Sequence, residues 1–146
     1  MTTMTRRSLA LAAGAAACAA LLPAAALAQQ AAAKNRALFQ VTDNDPARWN
    51  LVLGNMANLR EGVGGEGAEI ELVAFGPGLH MLKADSPVKE RVAEALKSGV
   101  RIDACQNTMH AMKLTAADML PGIGYVPAGV VEVMRKQQQG WAYIRS

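Results

Sequence analysis

The sequence predicts an α/β domain built on a mainly parallel sheet covered on both faces, and three observations carry that reading. Five short β-type runs alternate along the chain with helix-type runs, the pattern of strand–crossover–strand units. The segment from Ala68 to Phe75 begins with alternation and ends as a continuous apolar run, as a strand entering a buried sheet does. Glycine and proline breaks (Gly62 to Gly67, Gly76-Pro77-Gly78, Gly99, Gly140) punctuate the elements.

The first 28 residues are set aside before the fold is read. Arg6 and Arg7 make a positive start, Leu9 to Ala28 carries no charge, and Ala26-Leu27-Ala28 is a small-x-small cleavage pattern after Pro23. Residues 1–28 are therefore expected to be a cleaved signal peptide, and the twin arginine before a weakly hydrophobic alanine-rich run looks more like a Tat signal than a Sec one. Alanine contributes little insertion energy, which argues against a retained membrane span. The mature protein, residues 29–146, is expected to be a periplasmic, soluble single domain. Of 15 basic and 12 acidic residues, only Arg6 and Arg7 leave with the leader, so the mature charge falls from +3 to 13 − 12 = +1. No basic cluster with interleaved aromatics is present, which excludes an electrostatic footprint for nucleic acid.

In order, Arg36 to Thr42 reads as the first strand, and Asp43-Asn44-Asp45-Pro46 as a turn that caps a helix. Trp49, Val52, Leu53, Met56 and Leu59 recur at helical spacing over Ala47 to Arg60, with Trp49 a core or interface residue. Gly62 to Gly67 follows a helix, so it lacks the strand-before context of a phosphate loop and reads as a connector. Ala68 to Phe75 is the second strand, Leu79 to Leu82 a helical turn, and Ser86 caps a helix running to Lys97. Val100 to Ala104 is the third strand, followed by a short helix over Gln106 to Lys113. Ile123 to Val126 is the fourth strand, Ala128 to Gln139 an amphipathic helix with Val130, Val131 and Met134 on one side, and Trp141 to Ile144 the fifth strand.

Cysteine arithmetic then narrows the chemistry. Cys18 belongs to the leader, so Cys105 is the one thiol of the mature chain and no internal disulfide is possible. It falls at the carboxyl end of a strand, where open parallel sheets bind ligands. A thiol at a helix N-terminus meets free N–H groups and the positive end of the helix dipole, and both favour the reactive thiolate. Asn107 and Thr108 add hydrogen-bonding side chains, and His80, after the second strand, is a candidate base. Position alone leaves a packing role open, because free cysteine is among the most buried residue types.

The C-terminal half resembles the DsrE/DsrF-like family, in particular its small exported members. The residues that carry the likeness are Ala104-Cys105-Gln106-Asn107-Thr108-Met109, Leu120-Pro121-Gly122, Tyr125-Val126-Pro127-Ala128-Gly129-Val130 and Gln138-Gln139-Gly140-Trp141. Asp43-Asn44-Asp45 with Trp49-Asn50 also fits. The resemblance implies a three-layer α/β/α sandwich with a five-stranded sheet, assembly into trimers or hexamers, and no cofactor. It further implies a sulfur relay, in which Cys105 accepts sulfane sulfur from a donor as a persulfide and passes it to a partner protein's thiol. Such a protein is a carrier rather than a turnover enzyme. The relay members are cytoplasmic and hetero-oligomeric, whereas this chain carries an export signal, and the absence of a second cysteine makes any transfer intermolecular.

Two rival readings stand beside it. Cys105, Met109 and His110 form a soft Cys/Met/His set that suits copper(I). Alternatively the protein is a non-catalytic oligomeric binding protein in which Cys105 packs.

Overall fold

The computed structural model describes residues 35–145, apart from the Glu66 side chain; the expected signal peptide and its cleavage after Ala28 lie outside the described residues. The first strand, β1 (Asn35–Val41), hands over to α1 (Pro46–Gly62) through a capped turn. The Asp45 carboxylate accepts a hydrogen bond from Ala47 N at 2.9 Å, and Pro46 needs no N–H partner of its own. Trp49 belongs to the core, and its Nε1 donates to the Asp43 carbonyl at 2.8 Å, which ties the helix back to the turn.

There follow β2 (Ala68–Ala74), a 3-10 helix over Gly76–Leu82, α2 (Lys89–Lys97), β3 (Arg101–Cys105) and α3 (Gln106–Ala111). A 3-10 turn at Ala116–Asp118 leads to β4 (Gly124–Val126), α4 (Gly129–Gln138) and β5 (Ala142–Ile144). Helix α2 starts two residues later than the sequence suggests, with Val88 rather than Ser86 at its N-cap. Ser86 N bonds to the Lys83 carbonyl and Lys89 N to the Ser86 carbonyl, so Ser86 to Val88 is spent in turns. Pro87 disfavours a helical Ser86 in any case.

The sheet has the order β4-β3-β2-β1-β5, and every pairing is parallel. Three crossovers step one strand at a time toward the β4 edge, and the fourth returns across the whole sheet to set β5 beside β1. The two faces are covered unequally. On one, Phe39, Ile70, Leu72 and Ile102 pack beneath Trp49, Val52 and Met56 of α1, Val92 of α2 and Met109 of α3. On the other, Leu38, Val73 and Val126 meet only Val133 of α4, with Phe75 and Trp141 at the margin. Three layers result, one of them a single helix.

Alternation along β3 settles which way the thiol points. Ile102 and Ala104 enter the larger core, so Arg101, Asp103 and Cys105 turn toward α4. Gly78 holds the loops at this end of the sheet together. Its N–H donates to the Thr42 carbonyl at 2.9 Å, and a Cβ there would land on the backbone of Val41 and Thr42. Backbone cannot yield as a side-chain tip can, so Gly78→Ala is expected to cost about 2 kcal/mol or more, the range for overpacking a tight contact. A urea unfolding curve checks this, and an unchanged midpoint would refute the close approach.

Candidate functional site

Cys105 is both the last residue of β3, paired with Val126, and the N-cap of α3. Only 4% of the residue is exposed. Its Sγ accepts a hydrogen bond at 3.2 Å from the N–H of Gly129, the first residue of α4. That amide can come so close because position 129 has no side chain: a Cβ would press into the Phe75 ring.

Thr108 supplies the second donor. Its Oγ1 accepts from Gly76 N at 3.0 Å, which occupies a lone pair and leaves the hydroxyl hydrogen for Sγ. Asn107 N donates to the Pro127 carbonyl at 3.2 Å, so the β3–α3 and β4–α4 junctions are stitched to each other. Burial pushes the Cys105 thiol up, but the Thr108 hydroxyl and the amides of Gly129, Thr108 and Asn107 outweigh it and hold the thiol below its ordinary range. Gln106, Asn107, Pro127 and Val130 form an exposed rim.

Of the residues singled out in the sequence, Thr108 acts through its hydroxyl, whereas the Asn107 side chain is exposed and only its amide takes part. His80 does not join them. It lines a separate shallow cleft with Asn44, Trp49, Lys83 and Ser86, and the groups acting on the thiol do not include it. Nor do Cys105, Met109 and His110 share surroundings. Cys105 closes a strand rather than sitting within the helix, so the four-residue spacing does not align it with Met109. Met109 is buried in the core beneath α1, and His110 is exposed. Among the described residues, no group of three or more His, Cys, Asp or Glu is placed to hold a metal ion. An apolar cleft of about 510 Å3 between α1 and α2, lined by Leu53, Met56, Arg60, Arg91 and Val100, shares no residue with the Cys105 site.

The Gly129 amide was the donor that sequence reasoning missed. It lies 24 residues beyond the thiol, and its signal was a glycine opening a helix directly after a strand.

The chain matches the model of the DsrE/DsrF-like family over residues 27–145. It belongs to that family. Among solved structures, a protein of unknown function from Methanobacterium thermoautotrophicum, MTH1491, is 36% identical with a TM-score of 0.73; the match covers 76% of this chain and 98% of that one. Two others share the fold at lower identity. A conserved protein of unknown function from Bacteroides thetaiotaomicron, BT1422, is 17% identical (TM-score 0.64, covering 77% and 95%). The ychN protein from E. coli is 10% identical (TM-score 0.63, covering 78% and 100%). No curated protein matches the chain significantly.

In this DsrE/DsrF-like site the thiol ionises more readily folded than unfolded. Ionisation therefore adds stability that is fully present above the unfolded thiol pKa of about 8.5, and is lost as pH falls through the lowered folded value. Thr108→Val removes the hydroxyl donor. It is expected to raise the pH of half-maximal iodoacetamide alkylation of Cys105 by about one unit, a hydrogen bond to a charged group contributing about 1.5 kcal/mol. The pH dependence of the urea midpoint should flatten in the same variant. An unmoved alkylation profile would separate Thr108 from the thiol.

Proposed function

We propose that this DsrE/DsrF-like protein is an exported sulfur carrier whose Cys105 thiolate takes up sulfane sulfur and gives it to the thiol of a partner protein. The observation that carries the reading is the donor set on Sγ: one hydroxyl and backbone amides, among them the first amide of a ten-residue helix. Such dipoles favour an anionic sulfur without supplying a base or an acid for turnover, which suits a carrier better than an enzyme.

The transfer balances without an external oxidant. Cys105 thiolate attacks the outer sulfur of a persulfide or polysulfide donor, the donor S–S bond breaks, and the donor leaves as a thiolate. The new Cys105–S–S⁻ reaches about 2 Å beyond Sγ, one S–S bond length. An acceptor thiolate then attacks that outer sulfur, and Cys105 is released as a thiolate. Export to the periplasm belongs to the same reading on the strength of the N-terminal sequence, and assembly as a trimer or hexamer on the family resemblance. With one cysteine outside the leader, donor and acceptor are both separate molecules.

Intact-mass measurement after incubation with polysulfide tests the proposal. One added sulfur is expected on the wild type, lost on treatment with a thiol reductant and absent from Cys105→Ser. The low exposure of Cys105 favours the opposing view, in which the thiol only packs. Resistance of Cys105 to both polysulfide and iodoacetamide would establish that view and end the carrier reading.

A further inference from the structure

We infer that the buried ion pair between Lys136 and Glu71 is the positioning device that holds α4 where its first N–H meets Cys105. The inference rests on the carrier reading for its purpose, though not for its test.

Helix α4 covers its face of the sheet alone, and its apolar grip is slight. Val133 is buried, but Val130 is 63% exposed and Met134 is 49% exposed. The stronger attachments lie toward the end of the helix. Lys136 Nζ stands 2.6 Å from Glu71 Oε2, and Glu71 on β2 is completely buried. The same ammonium lies 4.4 Å above the Trp141 ring and 3.6 Å from Glu132 Oε1. Arg101 Nε completes the cluster, 2.6 Å from Asp103 Oδ2 and 3.7 Å from Glu71 Oε2.

The carboxylates have little else to hold them. Neither oxygen of Glu71, nor Asp103 Oδ1, has a well-aligned hydrogen-bond partner among the described residues, so Lys136 and Arg101 hold Glu71 as ion pairs. A buried carboxylate left without its cation is strongly unfavourable, so Glu71 draws Lys136, and with it the helix, down onto the sheet. Burial leaves its mark on Glu71, whose pKa is raised despite the Lys136 contact. The Arg36 guanidinium donates to the Gln139 carbonyl at 2.8 Å and secures the last turn.

An α-helix transmits such a constraint as a rod. Seven residues separate Gly129 from Lys136, about 10 Å of axial rise. At the far end the Gly129–Phe75 contact leaves no room for the helix to sink, so the ion pair and that contact together fix both height and slide. Neither Glu71 nor Lys136 touches the sulfur. They act on it through the placement of one amide.

The test uses Lys136→Met and Lys136→Arg in the full mature protein, with two readouts taken without any sulfur donor. The first is the pH profile of Cys105 alkylation by iodoacetamide; the second is the Gly129 amide proton shift by NMR. Lys136→Met is expected to raise the alkylation midpoint by about half a unit, roughly a threefold loss of rate near neutral pH, the scale of a helix-terminus contribution. The Gly129 amide should move upfield as its bond to sulfur lengthens. Lys136→Arg should restore both, and Lys89→Met, on exposed α2, should change neither. If Lys136→Met does not fold, Glu71→Gln keeps the side-chain shape and carries the same expectation. A folded Lys136→Met or Glu71→Gln with the wild-type profile and amide shift overturns the inference, whatever its stability. A shifted profile in a protein that takes up no polysulfide sulfur would overturn the carrier reading and leave this one standing.

Discussion

One crossover constrains everything near the thiol. An all-parallel sheet cannot be closed by hairpins, and here the last connection must carry the chain from β4 at one edge to β5 at the other. Four strand spacings of about 4.8 Å, roughly 19 Å, separate those edges. Helix α4 begins at the carboxyl end of β3, at Cys105, and runs back toward the start of the sheet, meeting Glu71 of β2 through Lys136 and Arg36 of β1 through Gln139. Its first amide meets Cys105 because the helix has to begin there.

The donor set at Cys105 is assembled from three loops at the carboxyl end of the sheet. Thr108, in the first turn of α3 after β3, and Gly129, opening α4 after β4, face the sulfur, while Gly76, after β2, donates to the Thr108 hydroxyl and orients it. None of these groups ionises near neutral pH, so the field at the sulfur is set by geometry and varies with it. This differs from a thiol activated by histidine, whose donor strength follows the titration of the imidazole. In the proposed carrier role, hydroxyl and amide dipoles would suit a sulfur held anionic in two forms, as thiolate and as persulfide.

Much of this could be read from the chain itself. The Asp45-Pro46 cap, the apolar spacing of α1 and the run through β2 are local signals, and the structure follows them within a few residues. Cys105 at a strand end was legible for the same reason. Strand order was not, because nothing local records that β5 returns beside β1. The alternation at the start of the Ala68-to-Phe75 strand does not say how Glu71 can be buried; its cation, Lys136, lies 65 positions later on the returning helix. Met109 and His110 looked like companions of Cys105 on one helix. The strand ends one residue later than expected, and that residue separates them.

The two apolar clusters differ greatly in size, and local opening follows contact density. The larger one joins β1, β2 and β3 to α1, α2 and α3, whereas the smaller offers Leu38, Val73, Val126 and Val133. Lifting α4 would disrupt only the smaller cluster and its charge contacts, leaving the rest of the fold intact. In hydrogen-exchange terms the amides of α4 belong to a sub-global unit with a lower opening free energy than the strands beneath. The sulfur is thus roofed by the most lightly packed helix of the fold, so opening of α4, rather than unfolding, is the route by which a reagent would reach a thiol nearly closed to solvent in the folded state.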